Sequence, residues 1–423
     1  MNLLDNKKNL SRTPPLEALK FRDFRLLWGT NMFAQVAQSM RQLVNYYLVY
    51  EITGSTIHLG LTGLFQLIPM LVLGLFGGTM ADLFDRKKLI FLTLGGGFFI
   101  ALSLWLLTES GQIRVWHIFG FVTLTSLVGI FGGPARASML AKTVPHDNLS
   151  NAITINWATG QATMLIGPLL AGSLIATLGA ANGYLFSSIF FIPSIIGCLL
   201  IRTPGRPDNP SPQSESSKGN FIFKIFSTAL EGARFVFSQR LLMSIFGLDI
   251  GVTVVSYFRP LLAAFAKDVY KVGPASLGTI TAAVPMGSIL GALFILFSNR
   301  YPRKGILILS STVFYSICLG LFGVTSNFWI GTLVVATLGF FDAVAVTIKH
   351  ATVQIVTPDH MRGRASSALL ITGMTANATG TLEVGLVAAY IGPQNAMLLA
   401  SAICLIVVGM AWAFMRTLRE YRI

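Results

Sequence analysis

The chain is written twice, and both copies are apolar enough to live in a bilayer. The region around 78–94 returns around 293–309, pairing Asp82 with Asn299, Arg86 with Arg303 and Lys87 with Lys304 at an offset of 217. TVPHDNLSNA (143–152) returns as VTPDHMRGRA (356–365) at an offset of 213, and the same offset pairs Gly167 with Gly380, Gly172 with Gly385 and Gly179 with Gly392. Parallel duplication of a membrane domain is a way of building a central cavity between two halves that rock against each other. It points to transport before any single residue is read.

Hydrophobic residues make up 53% of the chain and charged residues 11%. Apolar runs of about 20 residues, enough to cross a hydrocarbon core of roughly 30 Å, recur at 26–49, 58–81, 89–108, 115–140, 151–178, 182–201, 241–266, 275–297, 305–324, 328–352, 364–391 and 393–416. The expected fold class is therefore an all-α integral membrane protein of twelve transmembrane helices in two pseudo-symmetric six-helix bundles. The expected divisions are a cytoplasmic segment (1–25), a first bundle (26–202), a cytoplasmic linker with an amphipathic helix (203–240), a second bundle (241–416) and a cytoplasmic tail (417–423). The linker reading rests on TPGRPDNPSPQSESSKGN (203–220), rich in turn formers, followed by Phe223, Phe226, Leu230 and Phe237 at helical spacing.

The net charge of +14 does not imply a nucleic-acid partner. With the amino terminus inside, 26 Lys and Arg fall in cytoplasmic segments and three (Arg114, Lys267, Lys271) in outer loops. That asymmetry orients the protein with both termini in the cytoplasm. The first 28 residues lack the short apolar core and cleavage site of a signal peptide. Cys198, Cys318 and Cys404 all lie within apolar spans and suggest neither a disulfide framework nor a metal site. No nucleotide-binding loop, metal-ligand cluster or nucleophile–base pattern is visible, so no cofactor, no metal and no enzymatic activity are expected, and an ion gradient is the expected energy source.

Ionisable residues inside spans are costly and mark function by default. Arg41 in span one and Arg259 in span seven correspond at an offset of 218. They are expected to face each other across the cavity and to bind planar anions such as carboxylates or ionised catechols. Gln35, Gln38, Gln42 and Asn45 share a helical stripe on span one, with Asn31 a turn before, and read as the lining of a polar cargo site. Asp249, Asp342 and Glu383 are the candidate proton carriers, since a cavity that alternately buries and exposes a carboxyl changes its affinity for protons. His350, beside Lys349, reads as an interfacial residue.

These residues resemble the major facilitator superfamily over about 20–416. Gly78, Asp82, Arg86 and Lys87 resemble its signature between spans two and three, with Leu83 and Asp85 departing from the pattern. The resemblance implies that Asp82 forms a cytoplasmic gate with a basic residue at the end of span four, here Arg136, and that the gate is asymmetric because the second copy has Asn299. Gly167, Pro168 and Gly172 resemble the span-five signature of drug–proton antiporters. GPARASMLAKTVPHDNLSNAITIN (from Gly133), EGARFVF (231–237) and PDHMRGRASS (358–367) resemble the effector-secretion and drug-efflux branch, and 277–296 with 310–323 resembles its siderophore exporters. The implied function is proton-coupled antiport of a polar or anionic siderophore-like molecule across the bacterial inner membrane. A single protomer in the lipid bilayer would act on a small-molecule substrate and protons, working alongside an outer-membrane exit route. Macrolide-type multidrug efflux and lysophospholipid transport are the alternatives.

Overall fold

The computed structural model describes residues 16–73, 84–206, 238–297, 302–358 and 361–422. Among them, twelve long helices follow in order: α1 (Arg22–Thr53), α2 (Thr56–Leu73), α3 (Arg86–Glu109), α4 (Val115–Thr143), α5 (Leu149–Leu178), α6 (Ala180–Leu200), α7 (Arg240–Ser256), α8 (Pro274–Phe297), α9 (Lys304–Val324), α10 (Phe328–Val356), α11 (Arg362–Ile391) and α12 (Pro393–Phe414). Each corresponds to one of the expected spans. Among the described residues ten segments are long and apolar enough to cross a membrane; α1 and α11 are the two long helices that fall short of that hydropathy. Those two carry the polar stripe of span one and Glu383.

The repeat seen in the sequence is repeated in the packing. In the first bundle α1 packs on α5 and α6, α3 on α4 and α6, and α2 on α4; in the second, α7 packs on α11 and α12, α9 on α10 and α12, and α8 on α10. Gly179 and Gly392, paired at an offset of 213, both turn the chain between the last two helices of their bundle, at φ +90° and +83°. Only a residue without a Cβ adopts that backbone freely.

The bundles meet through two symmetry-related crossings, α2 with α11 and α5 with α8. Glycines make the approach possible. A Cβ on Gly60 would lie 2.9 Å from the Leu382 carbonyl, one on Gly385 2.5 Å from the Gly60 Cα, one on Gly172 2.7 Å from the Pro274 carbonyl, and one on Gly278 2.5 Å from the Pro168 carbonyl. All four sit toward the end at which α1 finishes and α2 begins. At that end a single apolar core draws on both bundles, with Tyr50, Leu59 and Ile175 beside Phe258, Phe265 and Phe322. At the opposite end there are two cores. One, around Phe24, Leu94 and Phe191, belongs to the first bundle, and the other, around Ile245, Ile308 and Val408, to the second. The halves are joined at one end and separately packed at the other.

Two polar contacts tie the joined end. The Tyr50 hydroxyl donates to Asp268, and Lys267 Nζ reaches Glu51 Oε2 at 2.8 Å while lying 6.0 Å from the Tyr50 ring centroid. Tyr50 and Asp268 are 218 residues apart, so the same position of each repeat meets its counterpart near the pseudo-twofold axis.

Candidate functional site

Span seven is not one helix. α7 stops at Ser256, and a 3-10 turn (Arg259–Leu261) containing Pro260, a short α-turn and a π-turn (Phe265–Val269) carry the chain onward. Proline removes one backbone donor and cannot continue the preceding helix. A break inside a membrane is tolerated where other groups satisfy the freed backbone. Here the Ser256 carbonyl accepts from the Phe258 amide at 2.8 Å and from the Tyr315 hydroxyl at 3.2 Å. Arg259 stands at this break, half-buried, within electrostatic reach of Tyr46 on α1, Tyr315 on α9 and Asp342 on α10. Tyr257, also at the break, is close enough to interact with Tyr46.

The face of α1 toward this break is the glutamine face. Gln38 and Gln42 are exposed, and Gln42 Nε2 donates to the Tyr46 hydroxyl at 3.3 Å. Gln35 is half-buried and accepts from Thr163 of α5 at 3.3 Å. Asp342, midway along α10, is exposed, and a mid-membrane carboxylate is exposed toward a cavity or the bundle interior rather than toward lipid. The arrangement is a polar cleft between the bundles, with one guanidinium, one carboxylate, three tyrosines and the exposed amides of α1.

Other members of the expected site lie elsewhere. Asn31 and Asn45 are buried inside the first bundle, Asn31 donating to Asn156 Oδ1 at 3.3 Å and Asn45 accepting from the Tyr184 hydroxyl at 2.7 Å. Arg41, expected to face the cavity opposite Arg259, is 3% exposed. Its Nη1 donates to the Gly97 carbonyl at 3.1 Å, and its guanidinium lies 5.9 Å from the Phe191 ring centroid. It binds α1 to α3 and α6. The reason is rotational: Gln38 and Gln42 point to the cleft, and Arg41, about 100° back from Gln42 along the helix, points into the bundle.

The acids divide as well. Asp249 of α7 is paired with Lys349 of α10, the two side chains 14% and 11% exposed. Lys349, counted from sequence among the cytoplasmic charges, is thus an internal counter-ion. Asp342 lies two turns earlier on the same helix face of α10. Glu383 of α11 is half-buried, and its Oε2 is enclosed with no hydrogen-bond partner among the described residues.

Of the expected gate, Gly78 and Asp82 lie outside the described residues. Asp85 caps α3, accepting from the amides of Lys87 at 2.9 Å and Lys88 at 3.2 Å. Lys87 Nζ caps the far end of α6, donating to the carbonyls of Leu199 at 3.0 Å and Ile201 at 2.6 Å, where a cation suits the helix field. The amide of Arg86 donates to the Gly205 carbonyl at 3.0 Å, and in the second repeat the amide of Gly305 donates to the Tyr421 carbonyl at 3.2 Å. The start of each bundle's third helix therefore docks onto the segment that follows its sixth, with Lys87 adding a side-chain tie in the first bundle. Arg136 is half-buried, contacts Thr93 Oγ1 at 3.5 Å, and has its Nε enclosed without a partner among the described residues. In span five, Gly167 faces Ser39 of α1, while Pro168 and Gly172 face Gly278 of α8. That motif lies at the crossing between the halves.

Sequence reading missed the tyrosines, the internal role of Lys349 and the ties at the joined end. A signal existed for some of them. Tyr46 is one turn beyond Gln42 on the same stripe, Lys349 is seven residues from Asp342, and Pro260 marks the break.

The profile of a family described as transmembrane secretion effector matches residues 13–421. The chain is 29% identical over 366 residues to the enterobactin exporter EntS of Escherichia coli O81 (strain ED1a), a match spanning 85% of this chain and 84% of that one; the exporter of E. coli O139:H28 matches to the same extent. Among solved structures, a POT family transporter in complex with a thioalcohol-conjugated peptide superposes with a TM-score of 0.75 at 12% identity, covering 94% of this chain and 96% of that one. A bacterial homologue of the human lysosomal transporter Spinster, in an inward-facing and unoccupied conformation, gives 0.71 at 15%, covering 95% and 98%. The duplicated helical bundles, the polar cleft between them and the match along nearly the whole chain lead to one conclusion: this protein belongs to the transmembrane secretion effector family of the major facilitator superfamily and is a multi-pass membrane transporter, not an enzyme.

Proposed function

We propose that the protein is a proton-coupled antiporter that exports a polar, anionic, siderophore-like small molecule across the bacterial inner membrane by alternating access. The observation that carries this reading is Arg259 at the break in span seven, within electrostatic reach of Tyr46, whose hydroxyl accepts from Gln42. A guanidinium fork matches a carboxylate or an ionised catechol, and tyrosine rings and hydroxyls suit an aromatic, hydroxylated cargo. In this reading Arg259, Gln35, Gln38 and Gln42 meet the substrate, whereas Arg41, Asn31 and Asn45 hold the first bundle rigid behind them. Asp249, Asp342 and Glu383 are the proton carriers. The positive-inside asymmetry makes the joined end the outer one, so that the cleft opens to the cytoplasm and both termini lie there. Asp82 with Arg136 acts at the cytoplasmic mouth when the halves rock, and a single protomer suffices for the cycle, handing cargo to a separate outer-membrane route.

Everted vesicles test this directly, with enterobactin as the probe. Respiration acidifies their interior, so an antiporter accumulates enterobactin inside and a protonophore collapses the accumulation. No transport, or transport indifferent to the protonophore, overturns the reading. Sensitivity of a deletion strain to macrolides with unchanged iron-starved supernatants would favour multidrug efflux instead.

A further inference from the structure

The second bundle contains an arrangement that the first lacks. Span seven and α10 run antiparallel, and Asp249 followed by Arg259 on the one meets Lys349 and Asp342 on the other in opposite order. Asp249 on α7 meets Lys349 on α10, and about ten residues further along the chain, at the break after α7, Arg259 comes within reach of Asp342 on α10. At the repeat offsets the first bundle has Asn31 for Asp249, Arg136 for Lys349, Arg41 for Arg259 and Gly129 for Asp342. It keeps both cations and neither acid, so the duplication gave only one half two internally balanced rungs.

Lys349 belongs to both rungs. Its ammonium donates to Asp249, and it lies seven residues beyond Asp342, on the same face of α10 at a rise of roughly 10 Å. It therefore shares the surroundings of Asp342 with Arg259. Arg259 is also the group that must release Asp342 whenever it takes an anion, which leaves Lys349 as the standing counter-charge. A lysine 9% exposed inside a transporter is expensive to keep for orientation alone, and cytoplasmic charges nearby already supply that.

We propose that Lys349 is a positioning residue for proton coupling: placed between Asp249 and Asp342, it sets how tightly both carboxyls hold a proton and hence the pH at which the transporter discharges protons to the cytoplasm. This rests on the proton-antiport reading above. The other ionisable groups around these rungs are His350 on α10, Tyr315 on α9, Cys404 on α12 beside Tyr315, and Tyr46 on α1 beside Arg259; α8 contributes no ionisable side chain. A nearby cation favours the ionised carboxylate. Removing it makes both acids keep their protons to higher pH, and proton release then requires a more alkaline cytoplasmic face.

The test is the pH profile of enterobactin transport in everted vesicles, with infrared titration of carboxyl C=O absorption in purified protein. Lys349→Gln is expected to move both the profile and the titration to alkaline pH by about one unit, a tenfold change in proton affinity, and Lys349→Arg to restore them close to wild type. Where Lys349→Gln does not reach the membrane, Asp249→Asn with Lys349→Gln removes the stranded charge and must still shift the Asp342 titration. A merely structural tie predicts a uniform drop in rate at every pH with profile and titration unmoved, and that result overturns the proposal. If wild-type transport ignores the pH gradient, the antiport reading falls and the proposal with it. If wild type responds and the Lys349 variants leave its profile in place, only the proposal falls.

Discussion

Two arginines at matching positions of the repeat have come to do different work. Arg41 is enclosed by Gly97 and Phe191 in the first bundle, and Arg259 stands at a helix break beside the cleft. Arg41→Ala is expected to lower stability by about 1.5–3 kcal/mol, the range for a hydrogen bond involving a charged group, with the KM of the folded fraction unchanged. A thermal-shift assay on the purified protein reads the first effect and vesicle kinetics the second. Arg259→Lys is expected to leave stability in place while weakening enterobactin binding at least tenfold, because lysine keeps the charge and loses the planar fork. Equal KM changes for both variants would refute the division. At this scale the sequence was legible as chemistry but not as direction. Apart from Lys349 the charges inside the membrane were visible, whereas the face each side chain takes depends on helix rotation, and rotation is set by neighbours such as Gly97, Gly167 and Phe191 that lie far apart along the chain. Lys349 was misplaced for a related reason: hydropathy locates the end of a span only to within a turn, and one turn separates an interfacial lysine from an internal one.

At the scale of elements, the repeat made the twelve helices and their pairing readable, because both copies keep glycines where backbones must touch. The exception was span seven. Its apolar run is continuous, so hydropathy reads one helix, and only Pro260 announces the break that delivers Arg259. The glycine crossings give a test. Gly172→Val forces a side chain against the Pro274 and Gly278 backbones, where even a Cβ has no room, so α5 and α8 must separate. Export is expected to fall at least tenfold while insertion persists, measured as vesicle transport per unit of membrane-inserted protein. Gly95→Ala in α3 is the control. Nothing lies within 4 Å of a Cβ there, and replacing a mid-helix glycine is worth up to about 1 kcal/mol in helix propensity, so it should be neutral or stabilising. Wild-type export by Gly172→Val would mean that the close crossing is not needed.

For the whole molecule, the joined end decides how long the halves stay together. Its exposed ion pair, Lys267 with Glu51, is the kind that contributes about 0–1 kcal/mol, so it can bias the equilibrium without locking it. Lys267→Glu places two carboxylates together and is expected to raise the population separated at this end by up to about fivefold, with Glu51→Lys in the same protein restoring it. Spin labels at Ser55 and Gly273 would report this as a change in distance distribution, and an unchanged distribution in Lys267→Glu would dismiss the pair as a bystander.

The contact between Tyr50 and Asp268 also carries a historical constraint. In a dimer of identical six-helix proteins, a residue on the twofold axis can meet only itself, and this position would bring tyrosine to tyrosine or aspartate to aspartate. Two facing carboxylates repel, and two phenols form a weaker bond than a phenol gives a carboxylate. A donor on one side and a charged acceptor on the other becomes available only after the two copies sit in one gene and mutate independently. Fusion thus does more than tether the halves: it allows the axis itself to become directional.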